Sequence, residues 1–423
     1  MTDTPKMPAL LLDFRLLLIL FIAFRALMFL AYPPFLLESG ERGIGVGGDR
    51  AYHYALSSLA EQGLYPFRDW WSEFPPVWYL TTTGVYLLLG KQASYDNWSL
   101  VLAALLLVVE AGNLSLIRRL GTHLHGLALG MTLAWLYALC IAPAVYLWWN
   151  FDALATFCLL WGVWLSLKAK PSASAVVFAL GALVKFVPFL ALGAVVRFWK
   201  PRQAASIIGI ALASFTLAYV PLLALNSEFA LISLTAQFNK PSYQTVWALL
   251  DGNYTTGNFG TIESHLSAEG VQDGVGERHP PLIPSWVRLG VAGGVGLWAF
   301  LRVRRMDALG VMAFIGLTFV VFYVQSQGWS PQWLTQLLPL LLLVFPNRDG
   351  VLTAVMLSVL AFVEYPFLFV RTGDTGGVFT PEHPFFGLWA LVIVARTLIL
   401  VGMGVAFYRK LRQAPNPELA LTT

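Results

Sequence analysis

Charge is what this sequence has least of. Asp, Glu, Lys and Arg make up 12% of its 423 residues, while 57% are hydrophobic. A soluble globular chain carries roughly 25% charged residues, so there is too little charge here to coat a water-facing surface. Cysteine is nearly missing as well. Cys140 and Cys158 both lie inside apolar segments, which excludes a disulfide framework and offers no metal-ligand spacing. No soluble domain, convincing repeat or low-complexity tract interrupts the pattern. The formal net charge of +4 and a pI near 9.0 do not point to nucleic acid, because no basic stripe with interleaved aromatics is present.

What is present is apolar sequence, with a mean hydropathy of +0.67. Runs of about 20 residues recur, each long enough to cross roughly 30 Å of hydrocarbon. The expected fold is all-α: a polytopic transmembrane helical bundle in the lipid bilayer, with about ten crossings plus re-entrant segments. Lys6 and Arg15 flank the first run, so the positive-inside bias puts the amino terminus in the cytoplasm. That run is too long for a signal-peptide core and reads as a retained helix.

Strict alternation would place Arg118, Arg119, Lys168 and Lys170 outside. Making the short, Thr-rich segment Val77–Leu89 re-entrant in the outer leaflet returns them, with Arg197, Lys200 and Arg202, to the cytoplasm. Ala175–Phe198 then has both ends cytoplasmic and Lys185 and Pro188 at its centre, so it must be a broken hairpin. Irregular backbone at that depth is tolerated where it is buried in protein or lines a cavity. The chain divides into an N-terminal transmembrane module at 1–225 with a first outer loop at 35–75, a second long outer loop at 226–284, and C-terminal transmembrane helices at 285–423.

Few residues are equipped for chemistry, and this topology gathers them on one side. The first loop reads Gly47-Gly48-Asp49-Arg50-Ala51-Tyr52-His53-Tyr54 and, later, Gly63-Leu64-Tyr65-Pro66 and Glu73-Phe74-Pro75-Pro76. Asp49 could be the N-cap of an interfacial helix. Glycines 43, 45, 47 and 48 only loosely echo a dinucleotide fingerprint, and no strand–helix unit surrounds them. Asp152 follows Asn150 at the mouth of a helix. Lys185 lies in an apolar hairpin, where an ammonium needs a partner; a membrane carboxylate such as Glu110 is one choice and an anionic lipid phosphate another. Ser330-Pro331-Gln332-Trp333 forms a polar turn topped by aromatics, and Glu364 sits near the outer end of its helix.

The pattern of Asp49, Tyr52, Gly63-Leu64-Tyr65-Pro66 and Glu73-Phe74-Pro75-Pro76 resembles the first loop of GT-C glycosyltransferases, membrane enzymes that use polyprenyl-phosphate sugars. Bacterial polyprenyl-phosphate-mannose mannosyltransferases are the branch it is most similar to. Lys185-Phe186-Val187-Pro188, Thr245-Val246-Trp247-Ala248-Leu249-Leu250-Asp251-Gly252 and Ser330-Pro331-Gln332-Trp333 follow in family order, across about three quarters of the chain. The resemblance implies a multi-pass protein of a bacterial plasma membrane with an extracytoplasmic active site. It implies a catalytic acid at Asp49 and, by a looser similarity, a second acid at Asp152. Many members pair two acids in the first loop, whereas Asp49 stands singly beside Arg50. No cofactor is therefore expected, and a divalent metal is not favoured.

The chemistry suits those residue types. A polyprenyl-phosphate sugar already contains its leaving group, so the remaining demands are a general base for the acceptor hydroxyl and cationic or dipolar groups for charge growing on the phosphate. Asp49 is the expected catalytic base, and Arg50, His53, Glu73, Asp152, Lys185, Gln332 and Trp333 are the expected substrate-binding set. Direct displacement would invert the anomeric centre. The expected partners are a polyprenyl-phosphate-sugar donor, with mannose as its sugar, a glycolipid or glycan acceptor, and the bilayer. The alternatives are a transporter or lipid flippase, which would use repeated halves around a midplane site, and a non-catalytic scaffold of polysaccharide export.

Overall fold

The computed structural model describes residues 8–31, 48–90, 93–140, 151–238, 240–257, 260–273, 279–368 and 378–421. Among the described residues the chain is helical, and the only β pairing is a set of isolated bridges. Glycines 43, 45 and 47, Asn150 and most of the start of the first loop lie outside the described residues.

Helix α1, Phe14–Ala31, leads to the first loop, where α2, Gly48–Ser58, is followed by a 3-10 turn. Helix α3, Pro76–Leu89, opens with proline at its first position, where the missing N–H would have had no partner. At 14 residues it spans about 21 Å, short of the roughly 30 Å hydrocarbon core. Near its start Trp78 meets His53 of α2 edge-on at 5.7 Å, and near its end Tyr86 meets Tyr54 at 5.8 Å. Both ends of α3 thus stay beside α2, at the face that carries the loops.

The next helices run away from that face and back. Helix α4, Tyr95–His125, is capped by Ser94 and ends at Gly126, whose φ of 86° suits glycine alone. Helix α5, Leu127–Leu139, returns tightly against it, since a Cβ on Gly130 would lie 2.5 Å from the Thr122 backbone nitrogen. Helix α6, Asp152–Leu167, pairs with α7, Pro171–Val184, through hydroxyls of Ser166 and Ser174 2.6 Å apart. The expected break is at Lys185, in extended backbone, followed by a 3-10 turn Val187–Ala191 and then α8, Leu192–Phe198. Arg197 of α8 donates to the Phe300 and Val303 carbonyls at the far face, at 2.9 and 3.2 Å, so this element rises and falls as a hairpin. Helix α9, Pro201–Leu225, climbs to the second loop, which holds α10, Ser227–Thr235, and α11, Val246–Asp251.

The C-terminal helices are α12, Ser285–Arg302; α13, Ala308–Gln325; α14, Leu334–Val344; α15, Arg348–Phe362; and α16, Phe386–Leu411. Every residue of α14 is buried, and α13 is buried along most of its length, as expected of helices apolar on all sides. They form the axis on which the others pack. At the far face Arg412 donates to the Arg302 carbonyl and His125 meets the Leu343 carbonyl. Arg118, Arg119 and Lys168 line a recess of about 330 Å³, so those three charges cluster on one side.

The protein is an all-helical integral membrane protein, and of the expected ten crossings five are matched by helices long and apolar enough to span among the described residues. Among the described residues these stretches are Tyr95–His125, Pro201–Leu225, Ala308–Gln325, Arg348–Leu368 and Phe386–Leu411. Leu127–Leu139, Asp152–Leu167, Pro171–Val184, Val187–Phe198 and Pro331–Val344 are shorter apolar helices. The reason is local: charged residues and prolines such as Lys185 and Pro188 cut apolar runs that hydropathy reads as continuous.

Candidate functional site

The site begins with Asp49, in the first turn of α2 rather than at the cap position, where a carboxylate favours the positive end of the helix dipole. Its side chain keeps contact with solvent. On a longer range it is surrounded by protein. That burial pushes its pKa up from 3.8 to about 6, with repulsion from Asp152 and Glu73 adding and attraction from Lys240 and Lys185 opposing. Four charged groups from four separate segments therefore stand within electrostatic reach of Asp49.

Asp152 and Lys185 form the deepest part. Lys185 Nζ lies 2.7 Å from Asp152 Oδ1, both side chains buried. The extended break at Lys185 turns its side chain toward the first turn of α6. Gln336 Nε2 donates to the same Asp152 oxygen at 2.6 Å, and Tyr323 donates to Gln336 Oε1 at 3.1 Å. Around the ammonium stand the rings of Trp333, Phe151 and Phe74, with centroids 5.0, 5.6 and 5.8 Å away, close enough for their negative faces to stabilise it. Lys185 does not meet Glu110, whose carboxylate instead accepts from Asn113 at 2.6 Å and from Tyr137 at 3.3 Å.

Glu73 belongs to a tether between loops. It accepts from Lys240 at 2.5 Å and from Gln237 at 3.1 Å. A second clasp lies beside it. The Trp71 ring stacks on His265 at 3.9 Å, its indole N–H donates to the Ser264 and Ser267 carbonyls, and Tyr52 hydrogen-bonds His265. The loop at 226–284 thus closes over the first loop and supplies a cation to it.

The remaining expected residues fall in different places. Arg50 is buried and donates to the Ser99 carbonyl at 3.0 Å, which ties α2 to α4. His53 is buried among Trp78, Tyr79 and Phe151, and burial first, then Arg50 and His265, pulls its pKa down to about 3; it is a neutral packing residue. Gln332 accepts a hydrogen bond from the Thr335 hydroxyl with its backbone carbonyl, and it is Gln336, one turn on, that reaches Asp152. Glu364 lies in a separate buried cluster with Arg396 and Gln244, with the Arg396 guanidinium 4.5 Å from the Trp329 ring.

Lys240, Gln237, His265 and Gln336 were not legible as site residues. Gln336 had a usable signal, since it follows Gln332 by four residues and so shares its face once a helix is assumed. Among the described residues, no group of three or more His, Cys, Asp or Glu side chains is placed to hold a metal ion.

Fold and site together define an all-helical membrane protein with a cluster of charged side chains beneath two interlocked loops. No family model matches the chain, and no curated protein matches it. Solved structures similar to it include the apo form of the oligosaccharyltransferase of Archaeoglobus fulgidus, at 12% identity over 95% of this chain and 56% of that one, with a TM-score of 0.42. The same archaeal enzyme tethered to an acceptor peptide containing the NVT sequon gives 10% identity, 95% and 55% coverage, and a TM-score of 0.42. Its complex with an inhibitory peptide and a dolichol-phosphate gives 11%, 95% and 56%, and 0.38. The chain spans about half the length of these structures.

Proposed function

We propose that this protein is an inverting membrane glycosyltransferase that moves a hexosyl group, mannose by the resemblance of its loops, from a polyprenyl-phosphate donor to a glycolipid or glycan acceptor. The observation that carries the reading is Asp49. It is a solvent-touching carboxylate whose pKa of about 6 leaves it ionised at neutral pH yet basic enough to accept a proton, and it is within electrostatic reach of a buried, ring-caged cation.

In the reaction, Asp49 takes the proton of the acceptor hydroxyl as that oxygen attacks the anomeric carbon. The bond from carbon to the phosphate oxygen breaks, and its electron pair leaves with the polyprenyl phosphate. An ammonium has three donors, and Asp152 takes one from Lys185; the others serve the departing phosphate. Asp152, itself oriented by Gln336, fixes where that charge sits. Glu73 and Lys240 hold the second loop against the first, which limits access of water to the donor.

Purified protein given a radiolabelled polyprenyl-phosphate sugar and an acceptor lipid extract should release polyprenyl phosphate, and Asp49→Asn should reduce this by at least about a hundredfold. Labelled transfer that is unchanged in Asp49→Asn removes the reading. Movement of intact lipid across proteoliposomes without sugar transfer would replace it with the transporter alternative.

A further inference from the structure

On the flank of α13 away from Asp152 and Lys185, helices α12, α13 and α16 enclose a groove of about 620 Å³ with almost wholly apolar walls. Helix α12 buries only Arg288 and Ala299 of its 18 residues, so it leans off the body and leaves the groove open to the membrane. Arg288 stands at the end nearest the loops and is 5% exposed. Its Nη2 donates to the Ser285 hydroxyl at 3.0 Å, and its guanidinium lies 5.3 Å from the Trp247 ring. Its Nε and Nη1 have no hydrogen-bond partner among the described residues. Asp251 attracts it from a distance, but the oxygens of that carboxylate accept from the Ser242 hydroxyl and the Leu282 amide at 2.6 and 2.7 Å. A buried guanidinium with two orphan donors is a strong call for an oxyanion.

The other end of the groove is closed by Trp298 stacked on Tyr408, centroids 4.4 Å apart. Ten residues of helix separate Arg288 from Trp298, about 15 Å, which is the depth of one leaflet of a roughly 30 Å hydrocarbon core. An acyl chain fits that length; a polyprenyl chain would overrun it.

We propose that this groove holds one phospholipid of the loop-side leaflet, with its phosphate on Arg288 and an acyl chain laid between α12 and α16 down to Trp298. The planar fork of arginine matches two phosphate oxygens, and the chain covers the apolar wall that α12 leaves unpaired. The site shares no residue with the carboxylate cluster. Tyr323 donates to Gln336, while Val320, Val321 and Val324 line the groove and Tyr323 does not. The assignment is therefore independent of the transferase reading.

The test is native mass spectrometry of the full chain, delipidated in detergent and titrated with phosphatidylglycerol, phosphatidylethanolamine, diacylglycerol of the same chains, polyprenyl phosphate or inorganic phosphate. One phospholipid per chain should be retained, with diacylglycerol and inorganic phosphate not retained. Arg288→Gln should weaken retention by about tenfold. Val295→Trp, which fills the groove from its membrane side without touching the cation, should do so as well. Gly209→Ala, which lies outside the groove lining, should leave retention as in the parent. Unchanged retention in Val295→Trp overturns the proposal whether or not Arg288→Gln folds. Equal retention of diacylglycerol, or displacement of the phospholipid by polyprenyl phosphate, overturns it too.

Discussion

Asp152 Oδ1 is shared by two donors, Lys185 Nζ at 2.7 Å and Gln336 Nε2 at 2.6 Å, so one carboxylate oxygen joins α6, the break after α7 and the start of α14. A buried ion pair is weak evidence for stability but is strongly destabilising to break from one side, by about 3–5 kcal/mol, because the partner is left as an uncompensated charge. Asp152→Asn and Lys185→Met should each lower the melting temperature in detergent by many degrees. The double variant should recover most of that loss and remain inactive. Single variants as stable as the parent would mean that the pair does not form.

Asp49 links activity to pH. As the base it must be ionised, so the rate should fall as pH drops through about 6, a limb that a carboxylate at its ordinary 3.8 would place lower. Stability runs the opposite way. The folded pKa is raised above the ordinary value, so the contribution from the protonated form is present below about 3.8 and is lost as pH rises through about 6. Asp49→Asn should therefore melt no lower than the parent at pH 8, and their difference should shrink toward pH 4, while transfer is lost at both. Asp49→Asn unstable at pH 8 would show that the carboxylate is structural.

Much of this site was readable because charge in an apolar sequence is rare and has to be partnered. Asp49, Glu73, Asp152 and Lys185 stand out for that reason, and the fold brings the other three within electrostatic reach of Asp49. What sequence could not supply was which carboxylate faces which cation. Lys185 and Glu110 are both membrane charges, yet the break at Lys185 turns it to Asp152, while Glu110 sits with Asn113 and Tyr137. Arg50 and His53 pack into the protein: Arg50 lies about 100° round the helix from Asp49, while His53, four residues on, shares the Asp49 side and is enclosed by Trp78, Tyr79 and Phe151, which only the packing of α2 on α3 and α4 fixes. The contributions of Lys240 and His265 come from a loop nearly two hundred residues away, with no local pattern to mark them.

The clasp between loops should be separable from chemistry. Trp71 and His265 stack at 3.9 Å and the Trp71 carbonyl meets His265 Nδ1 at 2.8 Å. Losing such a contact, with one buried donor left unmade, costs about 1–3 kcal/mol locally. His265→Ala should therefore make the 226–284 loop a substrate for limited proteolysis, with the helical core intact by circular dichroism. Protease resistance equal to the parent would place the stability of that loop elsewhere.

Gly130 offers a test of the membrane packing itself, away from any charge. A Cβ there would meet the Thr122 nitrogen at 2.5 Å and its hydroxyl oxygen at 2.4 Å. The hydroxyl can rotate away, but the backbone nitrogen of α4 cannot, so α5 must move outward as a body. Small residues at such crossings let helices approach closely, and overpacking typically costs about 1–3 kcal/mol. Gly130→Ala should lower the melting temperature measurably, and Gly130→Leu more so. Gly209, with no atom within 4 Å of its Cβ position, supplies the control, since Gly209→Ala in the interior of α9 should be neutral or stabilising. If both alanine variants melt alike, α4 and α5 are not in the close contact described.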